Sequence, residues 1–412
     1  MSNLNQTPRS NRIHIALFGK TNVGKSSIIN ALTDQNISLV SHVKGTTTDP
    51  VYKAMELMPL GPVVFIDTAG LDDDTELGKL REEKTIDVLN KTDIALIIID
   101  SASGTTDFDA NITNRIKEKN IPVIGVLNKI DLKDPSDHDL LVFEKELGIK
   151  LIKVSANTGL GILDIKNTLI KSVPNEEDKF KIVGDLVAPG DFVVLVTPID
   201  KAAPKGRLIL PQQQVIRDIL ESDAISIVTK EFELKETLQN LNKKPSLVIT
   251  DSQVFLKVAA DTPKDIPLTS FSILLARYKG DLKELVHGAS AIKKLKDGDK
   301  ILIAESCTHH RQSDDIGKVK IPRWLRQNTG KDLQFEFSSG FTFPKNIKDY
   351  ALIVHCAGCM LNRRAMLHRI SEAVDADVPI VNYGILIAYV QGILERTLAP
   401  FPAARLELDD EN

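Results

Sequence analysis

Residues 19–26 read Gly-Lys-Thr-Asn-Val-Gly-Lys-Ser, and this GxxxxGK[ST] loop restricts what the chain around it can fold into. Such a loop wraps an anionic phosphate with backbone N–H groups, which requires a strand entering it and a helix N-terminus leaving it. Both are written beside it: an apolar run, Ile13–Phe18, and a stretch of helical period, Lys25–Leu32. Gly19 and Gly24 let the backbone curl, and Asn22, Val23 and Ser27 complete the phosphate-binding set. Lys25 is expected to reach the β- and γ-phosphates and the Ser26 hydroxyl to ligate Mg²⁺.

The same alternation of short apolar runs and helical periods continues to residue 172, the pattern of a mostly parallel α/β sheet. Strands are predicted at Ile13–Phe18, Val51–Leu57, Val63–Ile66, Ile94–Ile99, Val123–Leu127 and Leu151–Val154. Helices are predicted at Lys25–Leu32, Lys79–Leu89, Asp109–Lys119 and Gly161–Lys171. A chain of 412 residues exceeds one core, and two further α/β segments follow. Val173–Asp178 reads as a linker, and two prolines within Asp261–Pro267 mark a second boundary. The expected layout is a P-loop domain over 8–174, a small α/β dimerisation domain over 180–262 and an α/β metal-cluster domain over 266–406. In the middle segment, Phe192–Val196, Ala224–Val228 and Ser246–Ile249 read as strands and Gln212–Glu221 as a helix. In the last, Lys300–Glu305 and Tyr350–Val354 read as buried parallel strands, with helices at Arg363–Ala373 and Gly384–Leu394.

Four more elements follow the loop in nucleotide-site order. Gly45-Thr46-Thr47-Thr48-Asp49 is placed to supply a switch threonine, Thr48, to metal and γ-phosphate. Asp67-Thr68-Ala69-Gly70 ends an apolar strand, so Asp67 can hold Mg²⁺ through water and the Gly70 N–H can sense the γ-phosphate. Asn128-Lys129-Ile130-Asp131 supplies a carboxylate for the guanine N1–H and exocyclic amine, a donor pair adenine lacks. Ser155-Ala156 can present a backbone N–H to the guanine O6. GTP and GDP are therefore the expected nucleotides, with Lys25, Asn22, Thr48, Asp67 and Gly70 as the catalytic set. These motifs resemble the GTPase branch that includes Era, EngA and MnmE. Leu71 stands where Ras-like proteins carry the water-orienting glutamine. The resemblance also implies a K⁺ ligand in Asn22, against the plainer reading of a turn-forming asparagine.

Composition narrows the rest. A net charge of −4 and 5% aromatics argue against a broad nucleic-acid surface. No apolar run reaches the ~20 residues of a membrane span, and residues 1–12 lack a signal-like core. A cytoplasmic protein binding neither nucleic acid nor membrane is expected. The three cysteines, Cys307, Cys356 and Cys359, all lie in the last segment. They form Cys307-Thr-His309, then 45 residues, then His355-Cys356-Ala-Gly-Cys359. Each half follows a predicted strand; if these pair in parallel, the ligands meet at the carboxyl edge of the sheet. Spacing alone leaves two centres open, a Cys₃His zinc site and a [4Fe–4S] cluster with one differently ligated iron. His310 competes with His309 as a ligand and ranks below it on the CxH pattern.

A GTPase domain joined to CxHx₄₅HCxxC resembles the HydF family of [FeFe]-hydrogenase maturation GTPases over nearly the whole chain. That resemblance implies a [4Fe–4S] cluster on Cys307, Cys356 and Cys359, with His309 and His355 as fourth ligand or as groups behind the ligands. It implies a homodimer through the middle domain and a di-iron precursor as cargo. The implied partners are the radical-SAM maturases HydE and HydG and the apo-hydrogenase HydA. Two other readings stand beside it: an RNA- or ribosome-associated GTPase with a structural zinc site, and an enzyme whose cluster itself does redox chemistry. The second lacks a radical-SAM cysteine triplet.

Overall fold

The computed structural model describes residues 8–33, 50–68, 84–173, 181–199, 208–306, 315–340, 343–344 and 346–408. It divides into two compact units, Met1–Asn175 and Glu176–Asn412.

The first unit is built on six strands: β1 (Ile13–Phe18), β2 (Val51–Leu57), β3 (Gly61–Asp67), β4 (Ile94–Asp100), β5 (Val123–Asn128) and β6 (Leu151–Lys153). Their order is β2-β3-β1-β4-β5-β6, parallel except for the β2–β3 pair. The continuous apolar runs follow from burial on both faces. Ile15, Leu17, Phe65, Leu96 and Ile98 enter one core, while Ala16, Phe18, Ile66, Ile97 and Ile99 enter the other. Period-2 alternation of side chains thus assigns neighbouring residues to opposite layers. Helices Lys25–Thr33, Asp107–Glu118 and Ile162–Ser172 lie within a few residues of their expected bounds. Of the helix expected at Lys79–Leu89, residues 84–89 are helical and 79–83 lie outside the described residues.

One helix, Asp137–Leu147, is absent from the sequence reading. Only Leu147 of it is buried, so it carries little apolar period, but Ser136 and Asp139 form a reciprocal capping box at its start. Ser136→Ala removes the side-chain acceptor for the Asp139 N–H at 3.2 Å. It should lower this unit's unfolding free energy by about 1 kcal/mol, read as a lower urea midpoint at unchanged slope.

The second unit holds two four-stranded parallel sheets. One contains β7 (Phe192–Val196), β8 (Ile225–Thr229), β9 (Leu247–Thr250) and β10 (Leu268–Ser270), in the order β10-β9-β7-β8. The other contains β11 (Lys300–Glu305), β12 (Gln334–Ser339), β13 (Leu352–His355) and β14 (Ile380–Asn382), in the order β12-β11-β13-β14. In each, the chain runs outward from the first strand, then crosses back to build the other side. β10 lies beyond the proline-marked boundary yet pairs with β9; three residues are too short to show a strand period. The two sheets also share one core: Val193, Leu195 and Ile249 belong to the same apolar cluster as Ile301, Ile303, Leu352 and Val354. Helix Phe271–Lys279 bridges them, packing on Leu210–Glu221 and on Arg363–Asp375. Among the described residues, no helix is long and apolar enough to cross a membrane.

Candidate functional site: a phosphate loop and a cysteine turn

The phosphate loop follows β1 and opens the helix Lys25–Thr33. Gly24 sits at φ +94°, in the region that favours glycine, and a Cβ there would come within 2.3 Å of Asn128 Nδ2. That closeness reflects a structural tie: Asn128 Nδ2 donates to Val23 O at 2.9 Å, joining the end of β5 to the loop. Asn22 is also in the left-handed region, at φ 63°, and is exposed; asparagine tolerates that conformation at a turn.

Lys25 is buried to 8% exposure, and its Nζ donates to Gly19 O and Lys20 O, each at 2.7 Å. Those bonds hold the ammonium across the loop's own carbonyls. Ser26 Oγ donates to Asp67 Oδ2 at 2.7 Å, although 41 residues separate them. The two residues expected at Mg²⁺ therefore converge, one from the first turn of helix Lys25–Thr33 and the other from the end of β3. Thr68 is a structural residue here, its hydroxyl buried and donating to Leu17 O at 2.6 Å.

On the base side, Lys129 adopts φ 67° and its Nζ pairs with Asp100 Oδ2 at 2.7 Å. Asp131 is exposed beside it. The Ala156 N–H donates to Asn128 Oδ1 at 3.1 Å. The N–H expected to face the guanine O6 is thus engaged within the protein, because the buried Asn128 amide needs both a donor and an acceptor partner. Ser155 is fully buried; its N–H and hydroxyl build the turn through Leu160 O and the Thr158 N–H. Gly45, Thr46, Thr47, Thr48, Ala69, Gly70 and the segment from Leu71 to Glu76 lie outside the described residues.

In the second unit, β11 and β13 are parallel neighbours, with Ala304 opposite His355. The chain leaves β11 for β12 on one side and returns to β13 on the other, which makes their carboxyl ends the switch point of the sheet, the crevice where open α/β folds seat ligands. Cys356 begins the turn that leaves β13. Its Sγ accepts from the Ser306 N–H at 3.2 Å and the Gly358 N–H at 3.4 Å, and lies 3.2 Å from the Ser306 hydroxyl. Burial pushes the Cys356 thiol up, while these bonds pull it down. Gly358, at φ +63°, allows the tight turn; a Cβ there would meet the Met366 methyl at 2.2 Å. Cys359 is partly exposed, as is Cys356. Cys307, His309 and His310 lie outside the described residues. Among the described residues, no group of three His, Cys, Asp or Glu is placed to hold a metal.

His355 has both ring nitrogens engaged. Nδ1 donates to Cys356 O at 2.6 Å, and Nε2 accepts from Arg369 Nη1 at 2.8 Å. A carbonyl can only accept and a guanidinium can only donate, so the ring is the neutral Nδ1–H tautomer. Burial first, then the charge of Arg369, pushes its pKa down to about 3. Both nitrogens are thus spent within the protein, where they tie the Cys356 turn to Arg369.

Two cations that sequence reading passes over surround this turn. Arg369, 3% exposed, also donates to Gly340 O at 2.9 Å. Lys279, 1% exposed, donates to Gly358 O at 3.2 Å, Cys359 O at 3.1 Å and Leu361 O at 2.8 Å. Burial lowers the Lys279 pKa to about 8, against the pull of Cys359 and Cys356. The described part of the donor set is compatible with a cysteine-held metal centre: one sulfur, Cys356 Sγ, receives N–H donors, a second cysteine lies three residues on, and buried positive charge flanks the turn.

Comparison with known proteins agrees with this division. Residues 14–129 match the family model "50S ribosome-binding GTPase". The tRNA modification GTPase MnmE of Endomicrobium trichonymphae is 30% identical over 248 residues, covering 59% of this chain and 52% of that protein. GTPase Der of Clostridium perfringens is 35% identical over 171 residues, 38% of each. The chain thus spans about half or less of these relatives' length. The FeoB G-domain from Methanococcus jannaschii is 26% identical, covering 39% of this chain and 98% of that one at a TM-score of 0.31, too low to transfer geometry. Residues 182–280 match the hydrogen maturase F dimerization domain, and residues 283–400 match the hydrogen maturase F tetramerization domain. The second unit, from the β7 sheet to the helices beyond β14, is therefore accounted for by models of one protein behind a GTPase domain, and the chain belongs to the hydrogen maturase F (HydF) family.

Proposed function

We propose that this chain is a GTP-hydrolysing scaffold that holds a [4Fe–4S] cluster through Cys307, Cys356 and Cys359 and delivers a di-iron precursor to an apo-[FeFe]-hydrogenase. The observation that carries the cluster half is the Cys356 turn: a sulfur with N–H donors from both sides, at the switch point of a parallel sheet. When bound, the cluster would supply an iron with an exchangeable position, at which a cargo could be held. The protein's part is to fix the cysteine sulfurs through the 356–361 turn and keep His355 neutral beside them. HydE and HydG are the proposed suppliers of cargo and HydA the recipient.

In the first unit, the N–H groups of the loop bind the phosphates, Lys25 neutralises charge that grows between them, and Ser26 with Asp67 would hold Mg²⁺. Asn22 is the proposed K⁺ ligand, and Thr48 and Gly70 the proposed sensors of the γ-phosphate. Asp131 reads the base. Removing its carboxylate strips charge-assisted hydrogen bonds of about 1.5–3 kcal/mol, so Asp131→Ala should weaken GTP and GDP binding roughly 10- to 100-fold by titration calorimetry.

The chain should self-associate through its middle sheet. β8 is an edge strand that exposes Ile225 and Val228, at 45% and 46%, and an open apolar edge is a template for pairing. A homodimer joined there is the reading adopted. GTP would act by biasing which partner binds, which requires different affinities in different nucleotide states. Pull-down or calorimetric affinities for the maturases and the hydrogenase, measured apo, with GDP and with a non-hydrolysable analogue, test this. Equal affinities across all three states would sink it.

A further inference from the structure

Two lysines are buried among the described residues: Lys25, which the phosphate loop explains, and Lys279 at 1% exposure. Burying an ammonium is costly unless its protons and its charge are both answered. The protons of Lys279 are answered completely. An ammonium has three donors, and Gly358 O, Cys359 O and Leu361 O accept one each. The charge is not: among the described residues, Lys279 makes no ion pair with a carboxylate. The carbonyls it binds belong to the turn that follows Cys356 and carries Cys359.

The lysine arrives from the far end of helix Phe271–Lys279, which packs on a helix of the dimerisation region. The residues it binds belong to the region matched by the tetramerization model. A clamp of three carbonyls would fix the shape of the turn between Cys356 and the helix that Asn362 caps. A neutral donor could do part of that. Only a cation also offsets the negative charge that three thiolates bring to an iron–sulfur centre.

We propose that Lys279 is a positioning residue for the cluster: its ammonium holds the 358–361 turn and supplies the counter-charge that raises the cluster's reduction potential. Net charge near a cluster is one of the levers that set its potential. The inference rests on the cluster reading above.

The test uses the full chain, reconstituted anaerobically with iron and sulfide, as wild type, Lys279→Met and Lys279→Arg. Methionine keeps the length and the apolar stem and removes the charge. Iron and sulfide are counted, and the midpoint potential is followed by electron paramagnetic resonance. Lys279→Met should bind iron yet reduce less readily, by at least tenfold in the reduction equilibrium, ~59 mV for a one-electron couple. Lys279→Arg should stay near the wild-type potential. Lys279→Met with full iron and an unchanged potential overturns the proposal. Should Lys279→Met take up no iron, the arginine variant decides. Uptake at the wild-type potential supports the counter-charge, whereas no uptake, or a shifted potential, overturns it. A wild type that binds no iron and sulfide instead refutes the cluster reading itself, so the two failures are distinguishable.

Discussion

Lys25→Ala should lower GTP turnover by about 10²–10³-fold, the scale on which removing one donor to a developing oxyanion acts. Lys25 is buried, its ammonium already lies across Gly19 O and Lys20 O, and the helix it opens points its N-terminus at the same space. Without Lys25, the charge that builds between the phosphates would lose its one side-chain cation and be left to the loop's N–H groups and the bound metal ions. The fold should survive, because the rest of this unit's core comes from Ile15, Leu17, Ile28 and Phe65. Phosphate release at saturating GTP measures the effect, with circular dichroism as the control for folding. Turnover within threefold of wild type would remove Lys25 from the catalytic set.

Cys356→Ala should abolish cluster assembly, lowering iron from about four per chain to near zero on reconstitution, while leaving GTP hydrolysis within twofold of wild type. The sulfur sits where Ser306 and Gly358 donate to it, and alanine offers nothing for either N–H or for a metal. The nucleotide motifs lie in the other compact unit, so the second effect should be small. Cys359→Ala should behave alike for iron. His355→Gln should act more mildly. Its ring is engaged with Cys356 O and Arg369, and loss of an orienting group behind a ligand typically costs 10- to 100-fold in metal affinity. Iron retention against a chelator reads that difference. If His355→Gln removed iron as completely as Cys356→Ala, the histidine would be a ligand after all.

The strands that line both sites were legible because they are buried on two faces. Ile13–Phe18, Phe192–Val196 and Lys300–Glu305 match their expected bounds, since a continuous apolar run needs no partner to be recognised; Val51–Leu57 matches too, although it is a largely exposed edge strand. The parallel pairing of β11 with β13, a condition for the two cysteine motifs to meet at one sheet edge, is present. Some of what escaped had little apolar period of its own, although the helices Phe271–Lys279 and Leu282–Ser290, which bury clear apolar faces, were missed as well. β10 and β14 have three residues each, β12 is largely exposed, and Asp137–Leu147 fully buries only Leu147. Side-chain partners escaped for a different reason. Lys279 stands in Tyr-Lys-Gly at a helix end, where a lysine ordinarily faces water and complements the helix dipole. Its burial depends on a turn 79 residues away. Arg369 and the tie between Asn128 and Ala156 are likewise products of tertiary packing, with no local signal in the chain.

The most direct measurement is the metal content of the anaerobically purified and reconstituted full chain, with acid-labile sulfide counted beside it. A brown protein with about four irons and four sulfides per chain, lost on Cys356→Ala, is the predicted result. A colourless protein with one zinc and no sulfide would contradict the account and return the cysteines to a structural Cys₃His site.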